Sequence, residues 1–458
     1  MSDTIVACAT APGRGAIAIV RLSGPQCVAI AERMFQPRSQ CGLEPWRLTR
    51  GNVIDSRSGQ CLDDALAVYC PAPRTYTGED VLEFHCHGAP VVVEQVVAGA
   101  VACGARVAEP GEFSRRAVLN GKMDLLQAEA IADLVNARVA AGARAAWDQL
   151  QGALSRRLQS IRHDLLRVLA DVEASLDFSD DELPEEDCQR RVDAIAAVQK
   201  EIRNLLSGFS ASRRVRNGIR VVFTGLPNAG KSSLINRLLG FGRMIVSKEP
   251  GTTRDVVEEC VDLGGMAFVL ADTAGLRESD SSAETEAVSR ARATLREADV
   301  TVCVVDSSVP YDAADAEGGG MPREETGARR VVVFNKSDLA CVLTRAARES
   351  LSRRADRVLR ASAATGEGCD ALGEALREIG SDITGPEAAG ISRIRHQEAL
   401  GRTLESLAAA RTLAADETVP ELVALELRQA LRELESLTQP FDNEEVLDRI
   451  FAEFCIGK

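Results

Sequence analysis

The feature that most constrains the fold of this chain is the stretch GLPNAGKSS at residues 225–233, which follows the apolar run IRVVF. It matches the pattern G-x-x-x-x-G-K-[ST] at every position. The glycines of that pattern let backbone N–H groups turn toward phosphate oxygens, Lys231 reaches the outer phosphates, and the Ser232 hydroxyl is a hard oxygen ligand for Mg²⁺. The sequence therefore predicts a buried strand, a phosphate-binding loop and a helix whose N-terminus favours anions.

Length and composition set outer bounds on what the chain can be. With 458 residues it is too long for one ordinary hydrophobic core, so we expect about three domains. No stretch is apolar for long enough to cross a bilayer, and the first residues lack the pattern of a secretion signal, which predicts a cytoplasmic protein with no membrane partner. The thirteen cysteines are scattered without a C-x-x-C pair, which argues against a disulfide framework or a zinc ribbon.

The charge of the chain restricts how it could bind nucleic acid. A net charge of −14 disfavours a protein that coats nucleic acid with its whole surface, so a nucleic-acid substrate needs a local basic patch or a basic partner. The segment SRRVRNGIR, residues 212–220, is one candidate patch, although such runs more often form a solvated linker. His85 and His87 would share one strand face, but no second ligand cluster accompanies them, and we predict no metal site there.

The residue pattern changes three times along the chain, and we place domain boundaries at those changes. Short apolar runs alternate with turn signals in the first 120 residues, which is typical of an α+β domain. A stretch rich in Ala and Leu, which is typical of helices, follows, then a repeated strand–turn–helix pattern, and then helices again. We therefore predict a multidomain α/β protein in which a Ras-like P-loop domain is inserted into a discontinuous helical domain. The predicted domains are residues 1–121, 122–219, 220–380 and 381–458.

The two helical segments are predicted to pack on each other. An apolar residue recurs every three or four positions from Leu150 to Leu176, which predicts one long helix with a heptad-like stripe that needs a partner. The acidic stretch DFSDDELPEED ends that helix at Pro184, and a further helix runs to about Ser207. The helices after Pro386 carry the apolar residues that would cover the stripe.

Short valine-rich runs between residues 220 and 380 are predicted to form a mainly parallel sheet that is buried on both faces. Helical spacers separate the runs, as parallel strands require. The runs are RVVF, AFVLAD, VTVCVVD, RVVVFN and RVLRAS.

Two tetrapeptides that end strands predict guanine specificity and hydrolysis. In NKSD, residues 335–338, the carboxylate of Asp338 would accept from the N1–H and 2-amino groups of guanine, a pair that adenine lacks. In DTAG, Asp272 would hold Mg²⁺ through water and the Gly275 N–H would sense the terminal phosphate. Together with the phosphate loop, they predict a GTPase. Leu276 stands where Ras-like proteins carry the water-orienting glutamine, so either the protein is a slow switch or another group does that work.

Motifs from both ends and the middle of the chain point to one family. They are PGRGAIAIVRLSG, TYTGEDVLEFHCHG, PGEFSRRAVLNGKMDLLQAEAIADL, GLPNAGKSSLIN, GTTRDVVEE, DTAGLRES and the terminal FCIGK. In this order they resemble the motifs of the MnmE (TrmE) tRNA modification GTPases. The resemblance covers essentially the whole chain and is far more specific than a phosphate loop alone.

In that family a K⁺ ion offsets the missing glutamine when two nucleotide domains dimerise face to face. The resemblance implies that Ser232 and Thr253 hold Mg²⁺ and that Glu284 orients the attacking water, although Glu284 taken alone would be a solvated carboxylate at a helix start. The implied K⁺ ligands are Asn228, Ser247, Glu249 and Thr252. The implied GTP-binding residues are Asn228, Ala229, Gly230, Lys231, Ser232, Ser233, Ser247, Lys248, Glu249, Pro250, Gly251, Thr252, Thr253, Asp272, Thr273, Ala274, Gly275, Asn335, Lys336, Asp338, Ser362 and Ala363.

The amino-terminal domain of the family resembles folate-binding one-carbon domains and forms the constitutive dimer interface. The resemblance places contacts to a reduced folate, 5-formyl- or methylene-tetrahydrofolate, on Arg21, Glu83, Lys122 and Lys458, which we expect to converge on one pocket. Taken alone, the first three are ordinary charged residues of strands and a turn. Cys455 would lie close to that pocket, either as a reactive or as a packed thiol.

Three positions depart from the motifs of the family. Ala364 in SAATGEG replaces a basic residue, so base contacts there must rely on the backbone of Ser362 and Ala363. In the loop SKEPGTTRD, Ser247 keeps a hydroxyl where threonine is usual, and Pro250 stiffens a position that is usually small. Both changes in the loop could alter nucleotide affinity or the dependence on K⁺.

The resemblance implies a homodimeric, K⁺-stimulated GTPase that acts on tRNA with a GidA (MnmG)-type FAD protein, in a heterotetramer or a larger complex. The pair would install a carboxymethylaminomethyl-type group on carbon 5 of the wobble uridine of certain tRNAs, with folate supplying one carbon. The alternative is a ribosome-assembly GTPase that acts as a binding switch, which would not require the first 120 residues or FCIGK. A phosphotransferase is disfavoured by Asp338 and by the order of the hydrolytic motifs.

Overall fold

The structure of the chain is a computed structural model. It describes residues 3–38, 42–177, 185–245, 258–272, 293–311, 327–385, 390–415, 420–439, 444–452 and 454–457. The chain forms two compact units: the first contains Met1–Ala132, Gln149–Ile195 and Arg402–Lys458, and the second contains Asp133–Asp148 and Ala196–Gly401. Within the described part, no helix is long and apolar enough to cross a membrane, and the cysteines are free thiols.

Each unit contains one seven-stranded sheet. The strands are β1 (Ile5–Cys8), β2 (Gly15–Ser23), β3 (Phe35–Pro37), β4 (Thr49–Ile54), β5 (Cys61–Cys70), β6 (Val81–Gly88), β7 (Arg106–Val107), β8 (Ile219–Thr224), β9 (Arg243–Ile245), β10 (Glu258–Leu263), β11 (Met266–Asp272), β12 (Val300–Asp306), β13 (Arg329–Asn335) and β14 (Arg357–Arg360). The main helices are α1 (Cys27–Met34), α2 (Pro90–Ala102), α3 (Glu112–Leu119), α4 (Leu125–Asn136), α5 (Ala140–Leu150), α6 (Ala153–Asp177), α7 (Glu185–Ser207), α8 (Phe209–Asn217), α9 (Lys231–Phe241), α10 (Arg345–Ser352), α11 (Cys369–Thr384), α12 (Ile394–Ala415), α13 (Pro420–Glu435) and α14 (Glu444–Phe451).

The sheet of the first unit has the strand order β3-β4-β5-β6-β2-β1-β7 and is antiparallel except where β1 lies beside β7. Side chains alternate between its faces, and α1 and α2 cover one face over a core that includes Leu22, Met34 and Phe84. The pairing of β2 with β6 places Arg21 directly opposite Glu83. The mixed strand and helix content of this domain is as predicted.

The last residues of the chain lie against this same domain. Phe451 of α14 belongs to a buried cluster with Leu125. Ile456 forms a backbone bridge with Pro110, and Gly457 lies so close to the Cys8 carbonyl that a Cβ there would collide with it. Both ends of the sequence therefore meet within the first unit.

The predicted apolar stripe lies on α6 and faces α13, which confirms that a late helix covers it. The stripe is buried because its members recur on one side of the helix. The buried members are Leu154, Leu158, Ile161, Leu165, Leu169 and Val172. The prediction of one continuous helix is wrong at its first member, because Leu150 ends α5 and Gly152 adopts a φ of 78° that an α-helix does not accommodate.

The sheet of the second unit has the order β14-β13-β12-β8-β11-β10-β9, and its five strands from β14 to β11 are parallel. These five correspond to the predicted valine-rich runs. β10 and β9 extend the sheet as antiparallel strands that the sequence pattern did not predict. α9 and α11 pack over a core that includes Val221, Phe223 and Val302. The carboxyl ends of β8, β11, β12 and β13 therefore lie at one edge, where ligands of such sheets bind.

Candidate nucleotide-binding site and a second polar cluster

The phosphate loop connects β8 to α9, and its backbone requires its two motif glycines. The φ angles of Asn228 and Gly230 are 62° and 94°, and that of Gly225 is 142°. A Cβ at Gly225 would collide with the carbonyl of Val304, and a Cβ at Gly230 would collide with the side-chain amide of Asn335. Glycine is the residue that avoids both collisions, as the motif predicts.

Lys231 and Ser232 occupy the positions that phosphate and Mg²⁺ would require. The Lys231 side chain is buried, and its Nζ donates to the carbonyl oxygens of Gly225 at 3.1 Å and Leu226 at 3.0 Å. This holds its charge across the loop, where the outer phosphates would bind. Ser232 Oγ donates to Asp272 Oδ2 at 2.6 Å. A hydroxyl and a carboxylate side by side are oxygen ligands of the kind that Mg²⁺ takes, so these residues fit the ion.

The base end of the site is organised by Asn335, a residue that is only 1% exposed. Its Nδ2 donates to the carbonyl of Ala229 in the phosphate loop at 2.7 Å, and its Oδ1 accepts from the Ala363 N–H at 3.1 Å. Asp338 accepts from Ser362 Oγ at 2.5 Å, so one Asp338 oxygen is held by the neighbouring loop. The phosphate loop and the two loops predicted to hold the base, NKSD at residues 335–338 and SAATGEG at residues 362–368 (the base loop), are thereby joined through one amide side chain.

Arg237 supports the base loop, and no motif singled it out. Its Nε donates to the carbonyl of Ala363 at 2.9 Å, and its Nη2 donates to the carbonyl of Ala364 at 2.7 Å. Arg237 lies on α9, 126 residues before Ala363, so nothing in the local sequence indicated the contact. It brings a positive charge to the backbone at the position where Ala364 departs from the family motif.

Asp306 is a second supporting residue that sequence reasoning missed. It ends β12 directly beside Asn335, and its Oδ2 lies 2.5 Å from Nζ of Lys336, whose φ is 60°. Burial acts to raise the pKa of Asp306, but hydrogen bonds from Lys336 and Ser308 outweigh it and hold that pKa below its ordinary value. The ion pair fixes the lysine of NKSD in a left-handed conformation. A carboxylate at the end of a parallel strand was the sequence signal that could have identified Asp306.

Several predicted residues lie outside the described residues, so their roles remain predictions. Ser233 is described and lies exposed in the first turn of α9. The predicted residues that are not described are Ser247, Lys248, Glu249, Pro250, Gly251, Thr252, Thr253, Thr273, Ala274, Gly275, Glu284 and Lys458.

A second polar cluster lies in the first unit, around two of the predicted folate contacts. Nε of Arg21 lies 2.7 Å from Oε1 of Glu83, and the other Glu83 oxygen lies 3.2 Å from Nε2 of His85. The Arg21 guanidinium is 5.9 Å from the ring centroids of both Tyr76 and Phe113. A half-buried ion pair beside two aromatic rings suits a flat ligand that carries polar edges.

Lys122 lies at the loop that carries Tyr76. Its Nζ donates to the carbonyl of Pro73 at 2.9 Å, and its side chain passes close to Gly78. The loop therefore connects Lys122 with the Arg21 cluster through Tyr76.

The chain end approaches the same strands. Gly457 is beside Cys8 of β1, the strand that pairs with the Arg21-bearing β2, whereas Lys458 lies outside the described residues. Cys455 is exposed.

A parallel sheet, a phosphate loop at its carboxyl edge and an N-K-x-D loop joined to it define the second unit as a P-loop guanine-nucleotide-binding domain. The family model "MnmE helical domain" matches residues 125–455, and "GTP-binding protein TrmE N-terminus" matches residues 4–122. This chain belongs to the MnmE family of tRNA modification GTPases, as the sequence motifs predicted.

Individual relatives agree over the full length. The tRNA modification GTPases MnmE of Heliobacterium modesticaldum and Geobacter sulfurreducens are each 39% identical, with 100% of both chains covered. That of Symbiobacterium thermophilum is 40% identical, over 100% of this chain and 99% of its own. Among solved structures, the G domain of the T. maritima FeoB iron transporter aligns with 36% of this chain and 99% of its own, at 25% identity and a TM-score of 0.25.

Proposed function

We propose that this chain is a homodimeric, K⁺-stimulated GTPase that acts in the cytosol with a GidA (MnmG)-type FAD protein, in a heterotetramer or a larger complex. The pair modifies carbon 5 of the wobble uridine of certain tRNAs with a carboxymethylaminomethyl-type group. GTP hydrolysis drives opening and closing of paired nucleotide domains, and the organic step takes place elsewhere in the complex.

The observation that carries the GTPase part of the proposal is the position of Asn335. Its amide joins the phosphate loop at Ala229 to the base loop at Ala363, with bonds of 2.7 Å and 3.1 Å. Binding of a base next to Ala363 would therefore be coupled, through Asn335, to the loop that holds the phosphates. Asp338 supplies the acceptor that guanine requires.

Because Leu276 cannot orient water, the proposed hydrolytic step uses Glu284 for that role and K⁺ for positive charge beside the phosphates. Asn228 and residues 247–252 would hold the K⁺ ion, which would supply positive charge next to the phosphates. Thr253 joins Ser232 at Mg²⁺, and Glu284 orients the attacking water. K⁺ binding is coupled to the pairing of two nucleotide domains.

The proposed folate site is the Arg21 cluster. The ion pair of Arg21 with Glu83 offers donors and an acceptor to a pterin ring, and Tyr76 offers an apolar face. Lys122 and Lys458 supply cations for the carboxylates of the folate tail. The folate contributes the one-carbon unit of the modification.

The proposal is tested by mass analysis of wobble nucleosides in tRNA from cells that lack this protein. We expect the carbon-5 modified uridines to disappear and to return when the gene is restored. A matched strain that carries Lys231→Ala distinguishes a need for the nucleotide site from a need for the protein alone. A nucleoside profile that does not change on deletion would refute the tRNA assignment and favour a ribosome-assembly switch.

A further inference from the structure

An open groove lies in the second unit between α10 and the edge strand β14, and its lining is rich in arginine. Its volume is about 940 Å³. The charged lining residues are Arg345, Arg348, Arg353, Arg360 and Glu349, and Phe334 and Leu359 contribute apolar surface. Four guanidinium groups against one carboxylate make this groove strongly positive on a chain whose net charge is −14.

Two of the four guanidinium groups are available to a ligand. Nε of Arg345 lies 2.8 Å from the Glu349 carboxylate, and Nε of Arg353 donates to the Glu349 carbonyl at 3.3 Å. Arg348 and Arg360 form no ion pair with any residue that the structure describes. The single carboxylate of the groove is therefore neutralised by Arg345, and the positive charge of the others is not offset locally.

The basic segment SRRVRNGIR, by contrast, is already used within the protein. Arg214 lies 2.7 Å from Asp299, and Arg216 lies 2.8 Å from Asp133. Arg220 lies 3.2 Å from Glu297. Three of the four arginines of this segment are therefore paired with acidic residues, and Arg213 is the one left exposed without an ion pair to a described residue, so the segment is a poorer phosphate-binding surface than the groove.

We propose that this groove binds the phosphate backbone of tRNA. The proposal rests on the proposed function, since it assumes that tRNA is the substrate. A guanidinium fork matches the oxygens of a phosphate group, and the two available forks, Arg348 on α10 and Arg360 on β14, lie on separate elements, which suits neighbouring phosphates of a chain better than one small anion. An acidic protein that must hold RNA needs a local site of this kind, because its overall field repels the polyanion.

The test is binding of the full-length chain to a tRNA transcript with uridine at the wobble position, measured between about 0.05 and 0.2 M salt. The test variant is Arg348→Gln with Arg360→Gln. The control is Arg157→Gln with Arg411→Gln, which removes the same charge from exposed arginines of α6 and α12. Thermal melting of all three proteins establishes that each is folded.

We expect the groove variant to bind the transcript roughly ten- to a hundredfold more weakly at about 0.1 M salt. The slope of log affinity against log salt should fall by about 2, because two arginines no longer neutralise a phosphate each. The control should keep the parental affinity and slope. Equal weakening by both variants would overturn the proposal, and so would the absence of transcript binding by the parent at low salt.

Two further outcomes separate this proposal from others. If the groove variant keeps its affinity for tRNA but loses its affinity for the flavoprotein partner, the groove is a protein interface and the RNA proposal is wrong. If the groove variant loses tRNA affinity while the deletion strain keeps its wobble nucleosides, the groove assignment stands and the proposed function fails.

Discussion

Asn335 joins three loops through one buried side chain, because an amide donates at one atom and accepts at the other. An aspartate there could accept but not donate, and a leucine could do neither. The residues predicted to contact the base, including Asp338, lie on the loops that this arrangement joins. The site should therefore tolerate substitution least at residues such as Asn335, where aspartate or leucine cannot reproduce both the donor and the acceptor.

Asp338→Asn should weaken GTP binding by at least roughly 100-fold and relax discrimination against xanthosine nucleotides, because the amide presents a donor where guanine needs an acceptor. Titration with fluorescent GTP and XTP analogues measures both affinities. Exposed Asp382→Asn on α11 is the matched control. Guanine selectivity that survives the Asp338 change would show that this residue does not read the base.

Arg237→Ala should weaken GTP binding about tenfold, since it removes two exposed charge-assisted hydrogen bonds worth about 1–2 kcal/mol in total. The same titration measures the change in affinity. Arg377→Ala removes an exposed arginine of α11 and serves as the control. Arg237→Lys should recover part of the affinity, because one amine can still reach a carbonyl. Equal affinities for parent and Arg237→Ala would mean that the base loop holds its shape alone.

At the scale of elements, α3 is held by a network of ion pairs around Glu112. This buried carboxylate accepts from Arg106 at 2.7 Å and from Arg116 at 2.9 Å, and from the backbone N–H of Glu109 at 2.8 Å. Arg116 also lies 3.1 Å from Glu79, at the loop that carries Tyr76. The network therefore fixes α3 and the loop beside the Arg21 cluster in one arrangement.

The network makes stability depend on pH. Burial acts to raise the pKa of Glu112, but Arg106 and its other partners outweigh burial and hold the pKa below its ordinary value of 4.5. A carboxyl with a lowered folded-state pKa stabilises the protein above its unfolded pKa, and that stabilisation disappears as the pH falls through the folded-state pKa.

Glu112→Gln should lower the melting temperature at about pH 7, where breaking such a buried pair costs about 3 kcal/mol. The difference from the parent should shrink as the pH falls below 4.5 and through the lowered folded-state pKa, because the parental carboxyl is then itself protonated. Melting curves across that range measure both effects. Glu109→Gln changes an exposed carboxylate and should have little effect. A Glu112→Gln deficit that is independent of pH would indicate a packing effect instead of a charge effect.

Leu158→Ala in α6 should destabilise the first unit by about 3 kcal/mol, because it leaves a cavity between α6 and α13. Leu158 is 2% exposed, whereas Leu422 on α13 is 45% exposed, so Leu422→Ala is a matched control with a small expected effect. Urea unfolding followed by circular dichroism measures the two changes. Similar destabilisation by both variants would mean that the stripe contributes little to the helical core.

For the molecule as a whole, the proposed hydrolysis requires two copies. GTP turnover should be faster in K⁺ than in Na⁺ at matched ionic strength, and the gain should rise with protein concentration, because the proposed mechanism couples K⁺ binding to the pairing of nucleotide domains. Glu284→Ala should lose turnover but keep GTP binding. Phosphate-release assays at several protein concentrations measure these rates. Equal rates in both salts, with Glu284→Ala as active as the parent, would refute this mechanism.

The sequence by itself determined the features that contiguous residues encode. The strands β8, β11, β12, β13 and β14, the phosphate loop and the positions of NKSD were all predicted, because each is a short pattern of burial or backbone conformation. A late helix was correctly predicted to cover α6, because an apolar stripe must be buried, and α13 is that helix. Motif order along the chain was sufficient to identify the family.

Only the tertiary structure decided which charged groups are free and which are used. It showed that Arg237 donates to the backbone of a loop 126 residues away. It also showed that arginines of SRRVRNGIR form ion pairs with acidic residues, whereas Arg348 and Arg360 form none with a described residue. It also showed Arg21 and Glu83 as a pair, 62 residues apart. The physical reason is that hydrogen bonds and ion pairs depend on distances of a few ångströms, which folding sets between residues whose separation in sequence carries no signal.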